Sequence, residues 1–362
     1  MSVQRRVEID WLRGLAIVIM IEAHVFEAWT RVEVRGTGFF RCAMILAGFA
    51  APAFLFLAGA ANVLATRARR GGSSDDAVAA RAVRRRGWQI LGLAFLFRAQ
   101  ALFSLDARAF LPELLKVDIL NIMGPTIVMS AVVLGAVRDW RRRLAVFAGG
   151  AAAFTFLAPI ISVAPWLSRL PDPIEAYLRP QPGVSTFALF PWAGFLLAGS
   201  AVGVLIDRDR AKDADRVFHL ALVAAGAAIA AAGCAASYLP PIYGHSRFWT
   251  TSPTFFFLRI GVLVMAVGLA RFWCLRQRLS PIGRFGALER FGRSSLFVYW
   301  IHVDLVYVWL AARLHNALTL SQVAAAFMLV TALMFGLVLL KNRLTGPRLR
   351  PRRAETVAPT AA

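Results

Sequence analysis

The stretch Trp11–Trp29, WLRGLAIVIMIEAHVFEAW, is an apolar span that carries groups a lipid-facing helix does not hold. Gly14 to Ile21 is uninterruptedly apolar, yet Arg13, Glu22, His24 and Glu27 share its helix. An ionisable group at bilayer depth costs from about 2.5 to more than ~10 kcal/mol, so it faces protein or water. Helical geometry sorts the four. Arg13 and His24 are separated by about 1100° of rotation, which returns them to within roughly 20° of one face and places them ~16 Å apart along the axis. Met20 and Glu27 lie near that face, and Glu22 points to the other side. One helix thus presents a guanidinium, an imidazole some three turns on, and a carboxylate one turn beyond.

The surrounding composition fixes the class of protein. Of 362 residues 59% are hydrophobic and only 17% charged, below the charge of a soluble chain of this length. The apolar residues fall in blocks, so the reading is all-α: a polytopic transmembrane helix bundle. Ten spans can be placed, at about 11–29, 39–65, 88–105, 118–137, 144–163, 185–206, 217–238, 254–273, 294–312 and 320–340. Each is close to the ~20 residues that cross ~30 Å of hydrocarbon.

The net charge of +21 is distributed as a topology signal and not as a nucleic-acid surface. Arg5 and Arg6, seven arginines from Arg67 to Arg86, Arg138 and Arg141 to Arg143, the basic residues from Arg208 to Arg216, six from Arg271 to Arg293 and six from Lys341 to Arg353 fall on one side. That side holds 29 basic residues against 11 on the other, alternating loop by loop. By the positive-inside rule both termini are cytoplasmic, in a cell (inner) membrane. The first span lacks an A-x-A-like cleavage site and reads as a retained anchor. Residues 1–345 form the transmembrane domain, and 346–362 a basic, disordered tail. Gly71–Asp76 (GGSSDD) reads as a flexible loop, and the proline-rich connection 164–183 as a stiff external cap. Gly199 and Gly203 (GSAVG) form a helix-packing pair. Cys42, Cys234 and Cys274 stand singly, and no spacing describes a metal site, a phosphate-binding glycine loop or a soluble catalytic motif.

Chemistry therefore has to come from embedded side chains. His24 is either a core histidine bonded to a neighbouring helix or a general base, with Glu27 at i+3 placed to orient it. Arg13 either closes an interfacial ion pair with Asp10 or binds the phosphate or pantetheine of a cofactor arriving from the cytosol. Asp118 and Asn121 (VDILN), Trp192 (FPWAG), Arg259, and His302 with Asp304 (YWIHVDL) are further embedded polar or amphipathic residues. Asp118 reads as a hydrogen-bonded helix cap. His302 reads as a packed histidine, and at ~200° from Asp304 it makes no simple pair with it.

The segment VEIDWLRGLAIVIMIEAH resembles the opening helix of the bacterial heparan-α-glucosaminide N-acetyltransferase-like membrane proteins. It is also similar to the wider acyltransferase-3 superfamily, whose first helix carries an arginine, ten residues, then a histidine, here Arg13-x10-His24. FAAPAFLFLAGAA (Phe49–Ala61), VDILNIMG (Val117–Gly124), FPWAGFLLAG (Phe190–Gly199) and GRSSLFVYWIHVDL resemble later helices of the same group, so the likeness runs in order over about 7–310. Where some relatives place an acidic residue just before the histidine, this chain has Ala23.

The resemblance implies transmembrane acyl transfer: an acetyl group leaves acetyl-CoA on the cytosolic side for an amino sugar or glycan at or beyond the membrane. It assigns His24, with Glu27, to the transfer and Arg13 to the CoA. Asp10, Asp118, Asn121, Trp192 and His302 are additional candidates, with no metal and no nucleic-acid partner, and the oligomeric state is left open. Two other classes fit the same residues. One is a secondary transporter or flippase of a sugar or lipid-linked intermediate, with the polar stripe as substrate and proton path. The other is a structural subunit of an envelope-polysaccharide complex.

Overall fold

A backbone surrounded by lipid has to satisfy its own hydrogen bonds, so long apolar segments become helices. The computed structural model describes residues 6–70, 76–100, 107–208, 212–278 and 286–345. The chain opens with α1 (Val7–Trp29), α2 (Gly38–Ala47), α3 (Ala50–Arg70), α4 (Asp76–Ala99) and the short α5 (Ala107–Leu114). It continues through α6 (Ile119–Ala136), α7 (Trp140–Ser162), α8 (Asp172–Leu178), α9 (Leu189–Ile206) and α10 (Lys212–Ala236). The last third holds α11 (Pro253–Arg278), α12 (Gly286–Arg293), α13 (Ser295–Asp304), α14 (Ala311–Leu314) and α15 (Leu320–Thr345). Among the described residues there is no strand, only isolated bridges at Thr30–Leu318 and Val117–Ser185.

The molecule is an all-α polytopic bundle. Among the described residues, seven helical segments are long and apolar enough to cross a membrane: α2 with α3, then α6, α7, α9, α10, α11 and α15. The other three expected spans coincide with α1, α4 and α13. Two expected spans are interrupted. The 39–65 span breaks at Gly48–Phe49 between α2 and α3, and the 294–312 span passes through a π-helical turn, Leu305–Trp309, before α14. Much of the GGSSDD loop, part of 88–105 and the 346–362 tail lie outside the described residues.

Ion pairs gather the basic helix ends at one end of the bundle. Arg6 meets Asp215 at 3.5 Å and also donates to the Ile206 carbonyl, Arg143 meets Asp76 at 2.7 Å, and Arg271 meets Asp215 at 3.0 Å. Buried Glu8 lies between Arg6 and Arg271, each at 3.6 Å. The opposite, far end is tied by Arg98 to Asp118 at 2.9 Å and by the return of the chain at 314–318 onto the end of α1.

Close backbone approach positions the central helices. α9 is buried along nearly its whole length, and a Cβ on Gly199 would stand 1.8 Å from the Phe56 carbonyl of α3. The small-residue pair thus serves packing, as its spacing predicts. α1 crosses α12 as closely: a Cβ on Gly14 would meet the Leu288 carbonyl at 1.9 Å. At its other end, Asn316 N donates to Ala28 O (3.0 Å), Leu318 N to Trp29 O (2.8 Å) and Arg31 N to Leu318 O (2.9 Å). Arg35 donates to the Glu27 and Thr30 carbonyls and to Asn316 Oδ1. The terminal carbonyls of α1, which have no partner inside the helix, are thereby bonded.

Candidate functional site

α1 and α13 run against each other, and their contact brings His24 to His302. His24 Nδ1 lies 3.0 Å from His302 Nε2, and the rings stack with centroids 5.1 Å apart and planes 12° from parallel. His302 is fully buried, and its Nδ1 is 2.6 Å from the Val298 carbonyl.

These contacts fix the tautomers. A carbonyl only accepts, so His302 Nδ1 carries a hydrogen and donates it to Val298. In the neutral ring Nε2 is then the acceptor, which makes His24 Nδ1 the donor between the rings. His24 is left with its lone pair on Nε2, and that atom has no hydrogen-bond partner among the described residues. A base whose far nitrogen is held by a second group, itself anchored to the backbone, has its ring orientation and tautomer set in advance.

Glu27 does not take the orienting role its spacing predicts. It is exposed and accepts a 2.7 Å hydrogen bond from Tyr307 Oη, and Tyr307 in turn sets its ring edge-on to His24 with centroids 5.4 Å apart. The carboxylate thus reaches the imidazole only through a phenol. Tyr307 sits in the π-helical turn, closed by Leu310 N to Leu305 O at 3.1 Å, and Trp29 Nε1 donates to the Val306 carbonyl within that turn (3.3 Å). Single π-helical turns recur at functional sites because they shift the residues beyond them to a new face.

A second polar group adjoins on the buried side. Tyr299 stands edge-on to His302 at 6.1 Å and donates to Asp118 Oδ1 at 3.3 Å. Asp118 caps α6 through a capping box with Asn121, as its position predicts, and also receives Arg98. Arg98 continues to Glu113 at 2.8 Å, and Asn121 donates to Tyr177 Oη at 3.2 Å. Burial pushes the Tyr177 phenol upward from its ordinary value. Tyr177 belongs to α8, in the proline-rich connection expected to form a cap. Asp304 is bonded to Gln100 at 2.6 Å and not to His302. Trp192 packs among Phe187 and Phe195 and belongs to the aromatic core.

At the basic end of α1, Arg13 donates to Ser295 Oγ at 2.6 Å and pairs with Asp10 at 3.7 Å, so the expected Asp10–Arg13 ion pair is present. Lys341 reaches Ser294 Oγ at 3.3 Å and Arg293 lies 3.8 Å from Asp10. Arg293 also pairs with Glu289, so three cations and two carboxylates gather beside the first turn of α13. A cavity of about 220 Å³ lies elsewhere at the basic end, lined by Arg138, Trp140, Arg143 and Arg208 among others.

Tyr299, Tyr307 and Arg98 are not among the residues singled out from the sequence, whereas His302 is there as a packed histidine and as an additional candidate. Tyr299 was visible at i−3 from His302. Tyr307 stands about 140° from His302 on an α-helix, and it meets His24 from within the π-helical turn.

Residues 5–240, well over half of the chain, match the family model of heparan-alpha-glucosaminide N-acetyltransferase, catalytic. The chain belongs to that family. No curated protein matches it. The matched region contains Arg13, His24 and Asp118 and stops before α11, so His302 and Tyr307 lie outside it.

Proposed function

We propose that this member of the heparan-alpha-glucosaminide N-acetyltransferase catalytic family moves an acetyl group from acyl-CoA, taken from the cytosol at the basic end, to a sugar or glycan acceptor at the far side of the membrane. The observation that carries the reading is the His24–His302 pair, which leaves a lone pair on His24 Nε2 inside a membrane bundle.

Arg13 would hold the donor. Its partly exposed guanidinium, with Lys341 and Arg293 beside the first turn of α13, suits the phosphates or pantetheine oxygens of CoA. His24, ~16 Å along the same helix, lies within reach of an extended pantetheine arm. Acyl-CoA supplies the thioester, whose C–S bond breaks as the acceptor nitrogen or oxygen bonds to the carbonyl carbon. His24 Nε2 takes the proton that the acceptor N–H or O–H gives up, and as imidazolium returns it to the leaving thiolate. His302 keeps its Nδ1–H on Val298 throughout, so the charge on His24 is stabilised by a neutral, fixed acceptor.

The test compares wild type with His24→Asn at matched amounts of folded protein. Transfer of labelled acetyl to an amino-sugar acceptor should disappear, while acyl-CoA binding stays within a few-fold because Arg13 is untouched. Transfer by His24→Asn within a few-fold of wild type would refute the assignment.

A further inference from the structure

Arg259 lies on α11, six residues beyond Pro253 and so about 9 Å in from the far end of that helix. It is 8% exposed. Its Cζ rests 3.8 Å from the centre of the Phe255 ring, and a Cβ on Gly48 would stand 3.2 Å from its Nη2. Among the described residues it makes no hydrogen bond and no ion pair, and its Nε is buried without a partner.

Arg143 shows what this bundle does with a guanidinium buried to the same degree. At 6% exposure it pairs with Asp76 and donates to the carbonyls of Leu134 and Val137. A buried cation without an anion is strongly destabilising, and a ring face offsets only part of that. The five N–H donors of Arg259 form a fork that matches a phosphate or carboxylate bidentately.

The neighbourhood favours a lipid as the source of that anion. Gly48 marks the break between α2 and α3, and on α2 Phe39, Ile45 and Leu46 are 58%, 53% and 49% exposed. The cation is thus set at the depth where headgroups meet acyl chains, next to apolar side chains left uncovered by protein.

We propose that Arg259 anchors a site for one anionic phospholipid of the far leaflet, its phosphate on the guanidinium and its chains along the exposed face of α2. The Phe255 ring holds the guanidinium from one side, and Gly48 leaves the room for it.

Native mass spectrometry of the full-length protein, equilibrated with equal phosphatidylglycerol and phosphatidylcholine, tests this without any measurement of acyl transfer. Wild type should retain one phosphatidylglycerol with about a tenfold preference. Arg259→Gln should retain the two lipids equally. Arg259→Lys, which keeps the charge but loses the fork, should show a weaker preference, and it serves as the test if the glutamine variant does not fold. Glycerol 3-phosphate, the headgroup without chains, should not displace the lipid at millimolar concentration. No preference in wild type, or an unchanged preference in either folded variant, would overturn the site. Displacement by glycerol 3-phosphate would make it a site for a soluble anion and end the lipid assignment.

Discussion

His24 and His302 are 278 positions apart, and each does for the other what a helical neighbour could not. Glu27, at i+3, was the partner that spacing offered, but the carboxylate sits at the exposed rim and bonds Tyr307. The sequence made His24 legible because a titratable group in an apolar run is unexplained by packing. It made Asp118 legible because an acid just ahead of an apolar run, with Asn three residues on, is a cap. Neither signal reaches across the fold, so the histidine pair was out of sight. The pair leads to a definite expectation. His302→Ala should lower the rate of transfer about 10–100-fold with little change in acceptor KM, since an outer partner sets the tautomer without touching the acceptor. His302→Gln, whose amide oxygen can accept from His24 Nδ1, should recover part of that rate. Equal rates in the two variants, with both folded, would reduce His302 to packing.

Helix existence followed from apolar length, because lipid leaves the backbone no other choice. The interruptions did not follow. Gly48–Phe49 and the π-helical turn at Leu305–Trp309 lie in runs as apolar as their neighbours, and what fixes them is tertiary. The Arg259 guanidinium lies where a Cβ on Gly48 would press on it, and the Trp29 indole bonds Val306. Helix contact was partly readable, since Gly199 and Gly203 have the spacing for close approach. Since a Cβ added at Gly199 would fall 1.8 Å from a carbonyl, Gly199→Leu forces α3 and α9 apart. Overpacking costs typically ~1–3 kcal/mol, so the variant should show a lower Tm in detergent, and an unchanged Tm would mean that this crossing adapts freely.

The bundle as a whole was the most legible, because it rests on a count of charges and not on any contact. The ion pairs of Arg6, Arg143 and Arg271 join helix ends that the charge count had assigned to one side. If that side is the cytoplasm, a reporter inserted after Thr345 should be active only in a cytoplasmic format. One placed in the 239–252 connection should be active only outside. An external signal after Thr345 would invert the donor and acceptor sides proposed above. The family match ends at 240, yet the chain beyond it supplies His302, Tyr307 and the 316–318 tie to α1, so the candidate histidine pair draws on both parts of the chain.

The tie between the end of α1 and residues 316–318 sets an order of events during synthesis. α1 leaves the ribosome long before residues 316–318, so the carbonyls of Ala28 and Trp29 find their partners only when Asn316 and Leu318 have been made. At about 5–20 residues per second that delay is on the order of 15–60 s. For nearly all of it, His24 lies beside an unfinished bundle, with His302 not yet translated. α1 thus precedes most of the bundle in synthesis and reaches its final arrangement only after residues 316–318 have followed it.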